Sequence, residues 1–356
     1  MMKSPSGKRA KFMMALAKQP GLRRLGLSGT PVGQSPLDVW SPYQFLVPGG
    51  GLLPPTFSQF RMRYTRPALY SEYRDRDVII TSGRGGELQR WKLRDLDELH
   101  ERLYRVASRL RTEDVIDQTP ATWEELHCTL EPDARRLYSE LDREFIAEVT
   151  SDGRTHIPGV RGDDVEHTFT AANAMTKVLH LQQLTGGALR DEDGTLVEVS
   201  TAKRDRLAEW LDGVGEEPVV VFARFHHDLD AIHAACARAG MTSSELSGRR
   251  AELAAWKAGE TQVIAVQEQV GGAGIDLTRA RLCVYYSLSY SLLDFEQSKA
   301  RVRGPAQSRT VAMYALVARG TVDEDIYAAL AAGQEVVDVV VDGARRRSVV
   351  GAVPTA

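Results

Sequence analysis

The 356-residue chain has only three cysteines, Cys128, Cys236 and Cys283, and no two of them form a CxxC pair. That excludes a disulfide framework and a cysteine-based zinc site, and leaves three reduced thiols of the kind found in cytosolic proteins. No apolar run approaches the ~20 residues that span a bilayer. Lys3, Lys8, Arg9 and Lys11 stand near the start without the apolar core of a signal peptide. The expected location is the cytoplasm, with no membrane partner. A surplus of positive charge is also missing: 45 Lys and Arg against 48 Asp and Glu give a net charge of -3. The chain is therefore not a globally basic nucleic-acid binder, although a local basic groove would suffice for contact.

What is present is ordinary for a soluble globular chain, with 43% apolar and 26% charged residues. Spacing predicts helices over 7–18 and 35–46, the second beginning on Ser35-Pro36, a good cap and first-turn pair. Residues 22–28 read as a short strand ending at Gly-Thr-Pro, and 47–60 as a Gly- and Pro-rich loop. Leu96, Leu99, Leu103, Val106 and Leu110 place an amphipathic helix over 95–111. Helices are expected at 133–149 and 171–184, and a hairpin over 186–199 that turns at Asp193-Gly194.

From about residue 200 the pattern becomes regular. Helices over 201–212, 227–239, 249–258, 291–301 and 322–332 alternate with apolar strands at PVVVFA, 262–266, 281–286 and 309–317. Such alternation implies an α/β fold with a parallel sheet covered on both faces. Ligands in these sheets sit at the carboxyl ends of the strands. The sequence after Asp342 has no period and reads as a tail.

Four segments carry chemistry. The first is Leu25-Gly26-Leu27-Ser28-Gly29-Thr30-Pro31, followed by Leu37-Asp38-Val39-Trp40; alone it is a strand leaving a sheet. The second is the strand Val219–Phe225 and its helix, where His226, His227 and His233 lack the carboxylate or cysteine that would complete a ligand set. The third is Val263–Val266 followed by Gly271-Gly272-Ala273-Gly274-Ile275-Asp276-Leu277, a glycine loop that permits close approach of backbone to phosphate. It also fits an ordinary turn. The fourth is Phe295–Gln307, where Gln297 and Arg301 share a helix face. Arg301 and Arg303 suit a phosphate, or compensate the helix dipole.

Together, in this order, these segments resemble helicase motifs III to VI of the Swi/Snf-type superfamily 2 translocases, and YALVARGTVDEDIYAAL resembles the segment that follows motif VI. Lys3–Arg9 is similar to the stretch after the DEAH box, and LTGGA at 184–188 to compact, phage-type members. The resemblance implies a partial first RecA-like lobe over 1–56, a helical protrusion and linker over 57–199, a second RecA-like lobe over 200–342 and a tail over 343–356. It implies that Gly274, Asp276 and Gln297 face ATP, that Arg301 and Arg303 meet its phosphates, and that Ser28, Gly29 and Thr30 couple nucleotide state to DNA grip. DNA is held through its phosphate backbone. A phage protein in a bacterial host fits the resemblance.

The sequence departs from the family in two places. It contains no GxxxxGK[ST] phosphate loop and no DEAH box, so the phosphate lysine and the carboxylate that holds magnesium are missing. ATP and magnesium are the expected cofactors, with magnesium held mainly by a separate N-terminal half. The second motif VI arginine is replaced by Gly304, with Arg303 one residue early. The expected function is the C-terminal part of an ATP-dependent double-stranded DNA translocase or helicase. The alternatives are an inactive DNA-binding remnant or an interaction scaffold.

Overall fold

A computed structural model describes residues 7–19, 21–27, 35–49, 51–69, 78–82, 88–108, 120–150, 171–190, 195–270 and 275–333. The chain divides into two compact units, Met1–Val115 and Ile116–Ala356.

The first unit contains α1 (Lys8–Leu16), α2 (Trp40–Leu46), α3 (Phe57–Tyr64), β1 (Thr65–Pro67), β2 (Val78–Ser82), β3 (Leu88–Leu93) and α4 (Leu96–Tyr104). A 3-10 turn, Pro36–Val39, leads into α2. Ser35 caps it by accepting the Leu37 amide at 3.1 Å, as the Ser-Pro pair predicts. Leu37, Val39, Leu53, Phe60, Tyr64 and Leu99 form a small core. The three strands pair antiparallel in the order β1-β3-β2. They fall in the stretch that the resemblance assigned to a helical protrusion and linker, because strands this short give no clear period. The expected strand at 22–28 is irregular backbone over 22–27. Leu25 and Leu27 there are 79% and 88% exposed. A strand needs a neighbour to persist, and none pairs with it among the described residues.

The second unit contains β4 (Ala121–Cys128), α5 (Pro132–Thr150), α6 (Ala171–Gly186), β5 (Ala188–Arg190), β6 (Leu196–Glu198), α7 (Ala202–Asp212), β7 (Val219–Ala223), α8 (His226–Arg238), β8 (Ser243–Leu246), α9 (Leu253–Ala258), β9 (Val263–Gln267), β10 (Leu282–Tyr285), α10 (Leu292–Val302), β11 (Val311–Ala318) and α11 (Val322–Ala331). Six strands form one sheet in the order β4-β11-β10-β7-β9-β8, and every neighbouring pair is parallel. This is the α/β fold the alternation predicts, a parallel sheet with helices on both faces.

Each central strand divides its side chains between two layers, following the period of two. Val220, Phe222, Ile264, Val266, Cys283 and Tyr285 face α5, α6, α10 and α11. Val219, Val221, Ala223, Val263, Ala265 and Val284 face α7 and α8. Both faces are buried, so β7 and β9 read as unbroken apolar runs. The edge strands escape this signal. β4 carries Glu124 and Glu125 and lies within the stretch expected to be protrusion and linker, while β8 begins on Ser243-Ser244-Glu245.

Candidate functional site

The carboxyl ends of β7, β9 and β10 gather the polar side chains of the second unit. Beneath them lies a buried ion pair. Lys203, at the start of α7, is 2.7 Å from Asp323, at the start of α11, with side chains 1% and 5% exposed. Lys203 also donates to the Tyr286 carbonyl at 3.1 Å. Asp323 accepts from the Thr185 hydroxyl at 3.0 Å and from the Ala318 amide at 3.2 Å. Every charge is answered, as burial requires. The network ties α6, α7, β10, β11 and α11 together at one end of the sheet.

A second network follows β7. The Arg224 amide donates to the Ser287 hydroxyl at 2.8 Å, and that hydroxyl donates to the fully buried Asp228. Asp228 also accepts the Phe225 amide at 3.2 Å. Burial pushes the Asp228 carboxyl above its ordinary pKa, against the pull of His227 and Ser287. The Arg224 guanidinium stacks 3.7 Å over Tyr290 and donates to Gln182 at 3.2 Å, so a cation is held at the mouth of the sheet.

Two of the predicted nucleotide residues, Asp276 and Arg301, lie toward the amino ends of β10 and β11, at the other end of α10. Leu277 donates its amide to the Arg301 carbonyl at 3.1 Å, which joins the chain after the glycine loop to the last turn of α10. Asp276 accepts both the amide and the hydroxyl of Thr278, at 3.0 and 2.7 Å, and faces Lys257 at 3.5 Å. These contacts hold its carboxyl below the ordinary pKa, the Thr278 hydroxyl most strongly. Gln307 locks the same turn by donating to the Ala280 and Thr278 carbonyls at 2.7 and 3.1 Å. Gln297 and Arg301 lie on α10, partly buried, and Arg303 follows its end. The Arg301 Nε has no hydrogen-bond partner. At Gly304, a Cβ would lie 3.1 Å from the Thr278 methyl, so the glycine permits the backbone to pass close to the Asp276 turn.

The remaining expected residues divide. Gly274, Ser28, Gly29 and Thr30 lie outside the described residues. His233 bridges Ser243 at 2.8 Å and Glu245 at 3.1 Å, while His227 stacks on Phe225. Among the described residues no group of three His, Cys, Asp or Glu could hold a metal, and no helix is long and apolar enough to cross a membrane. Lys203, Thr185, Gln182, Arg224 and Asp228 were not singled out from the sequence. Asp323 lies in the segment YALVARGTVDEDIYAAL but was not singled out either, and nothing local in sequence identifies a lysine 120 positions away as its partner.

Residues 202–303 match the family described as "Helicase conserved C-terminal domain". The chain is 24% identical over 365 residues to human TATA-binding protein-associated factor 172, covering 89% of this chain and 19% of that protein. It is 22% identical over 354 residues to putative protein p41 of Acyrthosiphon pisum secondary endosymbiont phage 1, covering 96% of this chain and 69% of that one. The chain thus spans about a fifth of the length of the TATA-binding protein-associated factors it matches. Among solved structures it resembles the Sulfolobus solfataricus SWI2/SNF2 ATPase core in complex with dsDNA, at 18% identity and a TM-score of 0.46, over 97% of this chain and 68% of that one.

Proposed function

We propose that the chain is the second-lobe part of an ATP-dependent double-stranded DNA translocase and that ATP hydrolysis requires a first lobe supplied by a separate polypeptide. In this reading residues 1–56 belong to the first lobe, 57–199 to the protrusion and linker, 200–342 to the second lobe and 343–356 to a tail. The observation that carries it is the joining of the post-glycine-loop turn to α10 through Leu277 and Arg301. That bond brings the Asp276 turn and Arg301 together ahead of the amino ends of β10 and β11, with Gln297 on the same helix as Arg301. Gly274, Asp276 and Gln297 then line the nucleotide side, and Arg301 and Arg303 supply positive charge to the phosphates. Ser28, Gly29 and Thr30 couple the lobes.

The residues present fit ATP in part. Arg301 offers a partly buried guanidinium, and a guanidinium fork suits phosphate. Asp276 is already committed to Thr278 and Lys257, so its role is to shape the turn. No described cluster suits magnesium, which in this reading is held mainly by the first lobe. Bound ATP supplies the phosphoryl group whose cleavage drives lobe closure. This chain's part is to position and neutralise charge. DNA contact is to phosphates.

The test is reconstitution. The full chain alone should show no DNA-stimulated ATP hydrolysis. Co-expression with a fragment bearing GxxxxGK[ST] and DEAH should restore it, and Arg301→Ala should then reduce turnover by roughly 10³-fold. Gly304, standing where the family has its second arginine, favours the inactive remnant instead. A stable complex that remains inactive would decide for that reading.

A further inference from the structure

At the carboxyl end of β9 a buried carboxyl goes unanswered. Glu268 opens a 3-10 turn, Glu268–Val270, directly after β9 and directly before residues 271–274. Its residue is 6% exposed, and among the described residues neither carboxyl oxygen has a hydrogen-bond partner. The turn packs against α10. Two other buried acids at this end of the sheet are engaged: Asp323 by Lys203, and Asp228, through one of its two oxygens, by Ser287 and the Phe225 amide.

The groups facing Glu268 explain what it must do. Asp294, in the first turn of α10, presents a like charge. Arg224, after β7, presents an opposite one, but it is committed to Gln182 and Tyr290. The Ser289 amide after β10 lies near enough to favour the charged form without closing a well-formed hydrogen bond. On β10 the buried Cys283 thiol and Tyr285 hydroxyl complete the surroundings, both held neutral by burial. An isolated buried carboxylate is costly, and proteins meet that cost by keeping the proton. Burial first, and Asp294 second, raise the Glu268 carboxyl to about 8.

We propose that Glu268 is a proton-bearing positioning residue: its neutral carboxyl lets the first turn of α10 sit against the end of β9, and its charged carboxyl repels Asp294 and loosens the helix that carries Gln297 and Arg301. The step is a single deprotonation, with the proton passing to solvent. The contact forms whatever the chain's partner is. Its meaning for the nucleotide edge rests on the function proposed above.

The linkage has a definite sign. With Glu268 seated, the proton is held up to about pH 8, whereas a loosened, solvated Glu268 loses it near its ordinary value of about 4.3. Loosening therefore releases a proton, and becomes easier as pH rises between these values. The experiment is hydrogen exchange on the full chain from pH 5 to 9, corrected for the intrinsic pH dependence of exchange. Neither nucleotide nor DNA is needed, so its outcome is independent of the translocase reading. Protection of the first-turn amides of α10 should fall by up to about tenfold per pH unit and level off near 8. In Glu268→Gln, which keeps the shape of the neutral acid, protection should stay flat. In Asp294→Asn the levelling-off should move to lower pH. A flat wild-type profile would overturn the proposal, as would a Glu268→Gln profile that still falls. If Glu268→Gln fails to fold, Asp294→Asn decides: an unmoved levelling-off overturns it.

Discussion

Lys203 shows how much can hang on one side chain. Its ammonium reaches Asp323 and the Tyr286 carbonyl from inside the domain. Replacing it by methionine preserves the length of the stem but strands the Asp323 carboxylate in the interior. Breaking one side of a buried pair costs about 3–5 kcal/mol, so Lys203→Met should lower the unfolding free energy in urea by that order. Thr185→Val, which removes only one donor to Asp323, should cost about 1 kcal/mol. Glu245 makes a prediction of the opposite kind. Arg249, Ser247 and His233 hold its carboxyl at about 2 despite burial. A carboxyl whose folded pKa is depressed contributes stability above its unfolded value, near 4.3, and loses that contribution as pH falls toward 2. Arg249 and Arg250 are exposed to solvent, which screens the pair. Glu245→Gln should therefore cost roughly 1–2 kcal/mol at pH 7, and the difference from wild type should shrink below pH 4. A difference that persists at pH 3 would show that shape, not charge, holds this corner.

At the scale of elements, the turn between α6 and β5 is the tightest test of backbone geometry. Gly187 has φ +113, and a Cβ there would lie 2.6 Å from the Ser200 carbonyl. Its own carbonyl accepts the Val199 amide at 2.8 Å, which closes the β5–β6 hairpin. Gly187→Ala must either strain the backbone or open that corner, at about 2 kcal/mol or more. Thermal unfolding should show it as a lowered Tm. The neighbouring pair Gly186-Gly187 was visible in the sequence as LTGGA, but its reason was not. Central strands, by contrast, declare themselves: β7 and β9 are apolar on both faces, so their neighbours are implied by composition alone. β4 and β8 do not, because an edge strand buries less and spends positions on Glu124, Glu125 and Ser243. The site was legible to the same degree. Gln297 and Arg301 stood at helical spacing, and Asp276 entered only through the resemblance of the glycine-loop segment. The Lys203–Asp323 and Asp228–Ser287 pairs did neither, since a contact between residues 59 or 120 positions apart leaves no local pattern.

For the whole molecule, charge sets the terms of any encounter with DNA. A net charge of -3 gives no long-range attraction to a polyanion. On the proposed reading affinity comes from local cations, and Arg224, held against Tyr290 at the mouth of the sheet, is the candidate to test. Cations of this kind meet phosphates, which are the same in every sequence, and each neutralised phosphate releases counterions. A chain that makes about two to four such contacts should lose on the order of tenfold to a hundredfold in affinity between 50 and 200 mM salt. Titration of a labelled duplex at several salt concentrations would give the slope directly. Arg224→Ala should flatten that slope by about one phosphate contact and weaken binding equally to unrelated sequences. Binding that distinguished sequences, or that held at high salt, would require contacts to base edges. That result would point away from a motor that grips the backbone and toward a protein that reads its site.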